Sequence, residues 1–228
     1  MSPDQEVMEN PLFGVGFYDD MFGVADWTKS NLNSGSATFV ATGVEGGAAK
    51  LDVGATTANH GGQAQYGAGM VKNTEGVDLF YETLVRFNTI STAPNALIGL
   101  AEIDTTLLGA SGALGVDDCI GFKLNAADGK LDFVAVIGGS ATTRADLFTP
   151  VDGEWLHLGF RVHSGRLAVP FINKVAYDGD SQIINGLSLM PDQILAPSYA
   201  LTGAGTVRPT LDVDWVKVVS ANMMSVRS

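Results

Sequence analysis

Apolar and polar residues alternate with a period of two along much of the chain, the pattern of strands that bury one face. After Leu79, residues Tyr81, Thr83, Val85 and Phe87 fall on one side, and Glu82, Leu84, Arg86 and Asn88 on the other. Leu156, Leu158, Phe160 and Val162 alternate with Trp155, His157 and Arg161. Near the C-terminus, Leu211, Val213 and Trp215 are expected on one face, with Asp212 and Asp214 opposite. The run NALIGLAEID from Asn95 is almost continuously apolar, which predicts a central strand covered on both sides.

Turn signals sit between these runs. CIGFKL and LDFVAV flank NAADGK, whose Asp128-Gly129 pair suits a hairpin turn. A second hairpin is expected around HSGR, with LAVPFIN as its return strand. Pro170 has no backbone donor, so that strand should lie at an edge or carry a bulge. SATFVATG and AAKLDVGA are strand candidates around VEGG. TTANHGGQAQYGAGM reads as a loop or irregular strand, and TLLGASGALG as a glycine-bearing loop. The sum is about ten to twelve short strands with almost no helix, which predicts an all-β sandwich or jelly roll. Residues 1–20 show no period and are expected to form an extended N-terminal arm, leaving 21–228 as the jelly-roll domain.

Composition agrees with one globular domain. The 228 residues are 46% hydrophobic and 17% charged, and 28 glycines suit many tight turns. The formal net charge of −12 argues against nucleic acid and against an anionic membrane surface as partners, since both require a basic patch. The N-terminus carries neither the basic nor the apolar region of a secretion signal. Cys119, the single cysteine, excludes an internal disulfide and a cysteine-based zinc site, and reads as a small buried hydrophobe.

The stretch VDGEWLHLGFRVHSGRLAVPFINKVAYDG resembles a strand pair of the concanavalin A-like (laminin G-like) jelly-roll superfamily. The matching residues are Asp152, Gly153, Trp155, His157, Gly165, Leu167 and Asn173. AVPFINK departs from the usual end of that motif. Within the superfamily, residues 79–220 resemble a group of tailed-phage structural proteins. The shared pieces run in order from Tyr81–Phe87, Gly99–Asp104, Asp118–Phe122, Leu131–Val134 and Trp155–Val162 to Leu195–Val218. The resemblance implies a concanavalin A-like sandwich of two antiparallel sheets. It also implies a capsid decoration (cement) protein that binds the outer capsid surface, made in the host cytoplasm. Its implied partners are the major capsid protein and further copies of itself, as a trimer around local threefold axes, with the arm as clamp.

Candidate chemistry is sparse. Glu102 and Asp104, two apart on a strand, would aim both carboxylates to one face, as in jelly-roll glucanases that use E-x-D-x-E or E-x-D-x-x-E. Thr106 or Leu107 occupies the third carboxylate's place, so no acid/base is supplied. His60, His157 and His163 form no metal-binding pair. Asp117 with Asp118, Asp178 with Asp180, and Asp212 with Asp214 offer hard oxygens for calcium, without an ordered loop spacing. They read first as a solvated acidic surface. Trp27, Tyr66 and Tyr199 are candidate sugar platforms, though core aromatics look the same in sequence. No catalytic, cofactor or metal residue is therefore assigned, and no cofactor is expected. The reading is a non-enzymatic virion protein, with a carbohydrate-binding module or lectin of the same fold as the alternative, and a host glycan as a further ligand.

Overall fold

The computed structural model describes residues 14–222, apart from 22, 34, 43–46, 55–58, 91–93, 204, 206 and 207. Two antiparallel sheets face each other across one core. The first contains β1 (Gly14–Asp19), β3 (Thr38–Ala41), β4 (Ala49–Asp52), β7 (Val77–Asn88), β12 (Trp155–His163), β13 (Leu167–Ile172), β14 (Val175–Ala176), β15 (Ile184–Asn185) and β17 (Thr210–Asn222). Its order is β14-β13-β12-β7-β17-β4-β3, with β1 beside β17 and β15 beside β13. The second contains β2 (Trp27–Leu32), β5 (Gly61–Tyr66), β6 (Val71–Lys72), β8 (Asn95–Ala101), β9 (Cys119–Asn125), β10 (Lys130–Ile137), β11 (Ser140–Phe148) and β16 (Ile194–Thr202). Its order is β11-β10-β9-β8-β16-β5-β2, with β6 beside β16. Helix among the described residues is confined to 3-10 turns, at Ile90, Ala110–Gly112 and Leu187–Leu189. None of the described helices is long and apolar enough to cross a membrane.

The expected alternation builds the core. Tyr81, Val85 and Phe87 of β7, and Leu156, Leu158, Phe160 and Val162 of β12, point inward. They meet Ile98, Phe122, Phe133 and Tyr199 from the opposite sheet. Tyr81 stacks on Phe160 at 5.1 Å, and Phe160 meets Phe133 at 5.7 Å across the sandwich. Inside it, Thr83 Oγ1 lies 2.9 Å from the Tyr199 hydroxyl and donates to the Trp215 carbonyl at 2.7 Å. That link joins the two sheets through polar atoms.

Residues 14–19 of the expected extended arm form strand β1: Gly14–Asp19 pairs with β17 from Ala221 back to Val216, on the side of β17 where β4 also pairs. This pairing uses backbone groups, so it needs no side-chain period. Residues 1–13 lie outside the described residues, as does most of the VEGG turn. GGQAQY is a regular strand between β16 and β2. Trp215 does not share the inner face with Leu211 and Val213. A bulge at Asp214 shifts the pairing from Val213↔Val85 to Trp215↔Leu84. Val216 and Val218 turn inward instead, because one extra residue reverses the facing of everything after it. Pro170 sits where expected. Its carbonyl points to the sheet edge and accepts from Tyr177 N–H at 2.9 Å, so the missing N–H falls on the side without a full partner strand.

Candidate functional site

Strand β8 ends at Ala101, and the chain then crosses the outer face of the eight-stranded sheet as an irregular loop through residue 118. The loop is not loosely draped. Leu107, Leu108 and Val116 pack on Leu32, Leu97, Val134, Val136 and Ala200, a second small core outside the sandwich. Outward-facing residues of a sheet are normally solvated. Here the loop buries them.

Two glutamines of β5 pin this loop. Gln63 and Gln65 alternate on the outer face and are 1% and 3% exposed. Gln63 Nε2 donates to the Asp104 carbonyl at 2.6 Å, and its Oε1 accepts from Leu107 N–H at 2.8 Å. Gln65 Nε2 donates to the Glu102 carbonyl at 2.8 Å and to Ser198 Oγ at 3.0 Å. Its Oε1 accepts from Asp104 N–H at 3.0 Å. An amide carries both donor and acceptor, so each side chain satisfies both kinds of backbone group that an irregular segment leaves open.

Between the pinned loop and edge strand β2 lies a groove of about 310 Å³, lined by Thr28, Ser30, Gln65, Gly67, Ile103, Asp104 and Thr105. Thr28 and Ser30 are two apart on β2 and share its outer face. Gly67 donates to the Asp26 carbonyl at 2.8 Å, and a Cβ there would meet that carbonyl at 2.9 Å. The lining holds hydroxyls, an amide, a carboxylate and one exposed aliphatic side chain.

Glu102 and Asp104 are not the paired carboxylates that a continuing strand would present. Because β8 stops at Ala101, both fall in the loop. Glu102 Oε1 accepts from the N–H groups of Asp117 at 2.9 Å and Asp118 at 3.2 Å. Asp104 Oδ1 accepts from Thr106 N–H at 2.6 Å. The first closes the base of the loop, and the second fixes a local Asx turn.

The remaining candidates are scattered. His157 lies on the outer face of the nine-stranded sheet, 3.8 Å from Glu82 and packed against Trp215 and Phe171. His163 meets Asp78 at 3.0 Å, beside a shallow recess lined by Glu75, Gly76, Ser164 and Arg166. His60 stands apart, its carbonyl accepting from Gly203 N–H. Burial is the largest influence on Asp78 and acts against its charge. Ser164 N–H, Arg161 and His163 together outweigh it and bring the carboxyl below its usual range. Asp118 is buried and accepts from the N–H groups of Asp192 and Gly138. Asp178 and Asp180 are exposed. Asp212 is buried, with Oδ2 taking Arg86 Nε at 3.1 Å, the other Arg86 nitrogen at 2.7 Å and Asn88 at 3.0 Å. Burial, then Asp20, raises the Asp214 carboxyl. Among the described residues, no three His, Cys, Asp or Glu side chains gather as a metal-binding set. Trp27 and Tyr199 are core residues, and Tyr66 packs beside them. Trp27 Nε1 donates to Asp19 at 2.9 Å, tying β2 to the end of β1. Burial pushes the Cys119 thiol up to about 12.

The groove residues Thr28, Ser30 and Gln65, and Gln63 that pins the loop beside them, were not singled out by the sequence. The available signal was the i, i+2 spacing of two glutamines inside a glycine-flanked run, which gives one polar face on a strand.

These sheets and their strand order define a concanavalin A-like jelly-roll β-sandwich. Solved structures agree on the fold. A protein of unknown function from Shewanella oneidensis MR-1 aligns over 100% of this chain and 98% of its own, at 12% identity and a TM-score of 0.55. Lectin II from Ulex europaeus aligns over 92% and 99%, at 14% identity and a TM-score of 0.60. A structure from work on endo-acting O-glycanases of the human gut microbiota aligns over 89% and 98%, at 12% identity and a TM-score of 0.58. No protein-family model and no curated protein sequence matches the chain.

Proposed function

We propose that this protein is a non-enzymatic carbohydrate-binding protein, and that the groove beside β2 takes the glycan. The observation that carries the reading is the pinned loop. Gln63 and Gln65 hold residues 102–107 against the sheet, so that a polar groove stands ready before any ligand arrives. Preorganisation of this kind lowers the cost of binding a flexible, hydroxyl-rich ligand. Lectins among the structural neighbours support the reading by analogy of fold, which does not by itself fix function. One neighbour comes from work on glycanases, so the carboxylates make the distinction. Glu102 is engaged by two backbone N–H groups, and the third carboxylate position is filled by Thr106 or Leu107. Among the described residues, the groove is lined by one carboxylate, Asp104, where glycoside hydrolysis calls for two. The test is a glycan array with the purified protein, run beside an assay for released reducing ends. Saturable binding without release is expected. Release of reducing ends refutes the non-enzymatic reading, and an array without binding refutes the carbohydrate reading.

A second reading, a virion decoration protein on the outer capsid surface, is favoured by a different observation. The outer face of the nine-stranded sheet exposes Tyr18 and Trp155, at 53% and 40%, next to partly covered Trp215 and Phe171. Such a face suits a protein partner, here the major capsid protein with trimeric self-association. Co-sedimentation with capsids, unaffected by added sugars, is the expected result. A chain absent from purified virions by mass spectrometry refutes it.

A further inference from the structure

We infer that the groove beside β2 selects a neutral saccharide unit and discriminates against uronic and sialic acids, with Asp104 as the specificity-determining acceptor. This rests on the carbohydrate-binding reading above. Asp104 is fixed at three points. Its N–H is held by Gln65, its carbonyl by Gln63, and its Oδ1 by Thr106 N–H. The other carboxylate oxygen has no partner among the described residues, and the residue lines the groove. A fixed carboxylate accepts two vicinal hydroxyls well and repels a second carboxylate at short range.

The rest of the lining points the same way. Thr28 and Ser30 supply hydroxyls that donate or accept. Ile103, 55% exposed, offers an aliphatic surface for the C–H face of a pyranose ring. Among the described residues, no Lys, Arg or His lines the groove, so an anionic sugar meets no counter-charge from them. The chain's net charge of −12 adds long-range repulsion that salt weakens. A neutral ring with adjacent hydroxyls meets every one of these groups, whereas a uronate meets a like charge.

The test uses the full chain, isotope-labelled, titrated with galactose, mannotriose and cellotetraose as neutral probes, and with digalacturonate and sialyllactose as acidic ones. Calorimetry gives affinities, and amide shifts locate the site. The inference expects a neutral probe to bind at least tenfold tighter than either acidic one, with shifts at Thr28, Ser30 and Asp104. Asp104→Asn retains an oxygen for Thr106 N–H, so the loop should stay in place. It is expected to weaken the neutral probe about tenfold and to narrow the gap to the acidic ones. Thr28→Trp, at an exposed position, is expected to fill the groove and abolish both. Equal or tighter binding of an acidic probe overturns the inference, as does an unchanged ratio in Asp104→Asn. Shifts confined to another surface overturn the inference while leaving carbohydrate binding standing. Failure of every neutral and acidic sugar, here and on the array, overturns the reading on which it rests.

Discussion

Replacing Gln65 with methionine tests whether the pinned loop is built as described. Methionine keeps the length and removes both polar ends. Three hydrogen bonds are lost: to the Glu102 carbonyl, from the Asp104 N–H and to Ser198 Oγ, all between 2.8 and 3.0 Å. Ser198 keeps its bond to the Ala196 carbonyl, but the two backbone groups of the loop are stranded beside a side chain only 3% exposed. At about 1 kcal/mol net for each bond, the loss is about 3 kcal/mol. For a chain of this size that lowers Tm by about 6–12 °C. Urea unfolding should show the midpoint falling with an unchanged m value, since the surface exposed on unfolding stays the same. Amide exchange at Asp104 should quicken, while Leu107, held by Gln63, stays protected. Gln63→Met should reverse that pattern. Both glutamines act through Asp104, so the double replacement should cost less than the sum of the single ones. A loss under about 0.5 kcal/mol in Gln65→Met, with Asp104 exchange unchanged, would show that the loop is held by its apolar contacts alone.

Within the sandwich, Thr83→Val strands the Tyr199 hydroxyl and should cost about 1–3 kcal/mol in urea unfolding. Tyr81→Phe removes a buried hydroxyl that lacks a partner, so its effect should lie within about 0.5 kcal/mol of zero or be stabilising. Asp78, held below its usual range in the fold, contributes stability that is complete above the unfolded carboxyl pKa of about 3.9 and is lost as pH falls through the lower folded value. Asp78→Asn should therefore flatten the acid limb of a stability–pH curve, while leaving it as steep refutes the assignment. The Cys119 thiol, fully buried and raised to about 12, should resist a thiol reagent at pH 8 in the native protein and react stoichiometrically once urea unfolds it.

Strands with a buried inner and a solvated outer face were legible, because alternation is set by burial. Strands β7 and β12 follow the pattern closely, while the β9–β10 hairpin, buried on both faces, was legible from its two apolar runs and the Asp128-Gly129 turn. Legibility fails where that premise fails. In GGQAQY the outer positions are covered by the loop, so the strand is buried on both faces yet carries glutamines and glycines in place of aliphatics. Strand β11 is a sheet edge whose residues are mostly exposed, and an edge tolerates the polar composition of Ser140–Arg144. The bulge at Asp214 changes the facing of Trp215 without a glycine or proline to mark it. Glu102 and Asp104 looked like strand residues because the apolar run before them is continuous. The chain leaves the sheet there because the Glu102 carboxylate caps the Asp117 and Asp118 amides across the loop's base, a contact 15 residues away that no local pattern encodes. The site suffered from the same blindness. Its residues come from β2, β5 and the crossing loop, and only tertiary pairing brings them together.

The two sheets present outer faces of opposite character, and this bears on the two functional readings. The centre of the eight-stranded sheet's outer face is covered by the loop of residues 102–118, and the groove that the loop leaves beside β2 is local, polar and pinned by hydrogen bonds. Discrimination among small hydroxylated ligands needs that kind of surface, since a misplaced acceptor costs as much as a missing one. The nine-stranded sheet's outer face is broad and carries aromatic rings from several strands. Tyr18 lies 6.5 Å from Trp215, Trp215 lies 5.4 Å from His157, and His157 lies 6.0 Å from Phe171. The rings from Trp215 through His157 to Phe171 are tilted by 63° and 78°, which makes a ridge rather than a flat stacking platform. A ridge interlocks with the side chains of another protein better than with a sugar ring. The two proposed readings thus call on different residues on opposite sides of the core. A blocked groove should leave docking intact, and Tyr18→Ser with Trp155→Ser should leave glycan binding intact. Loss of both from either change would mean that one surface serves both readings, and that the assignment of roles to faces is mistaken.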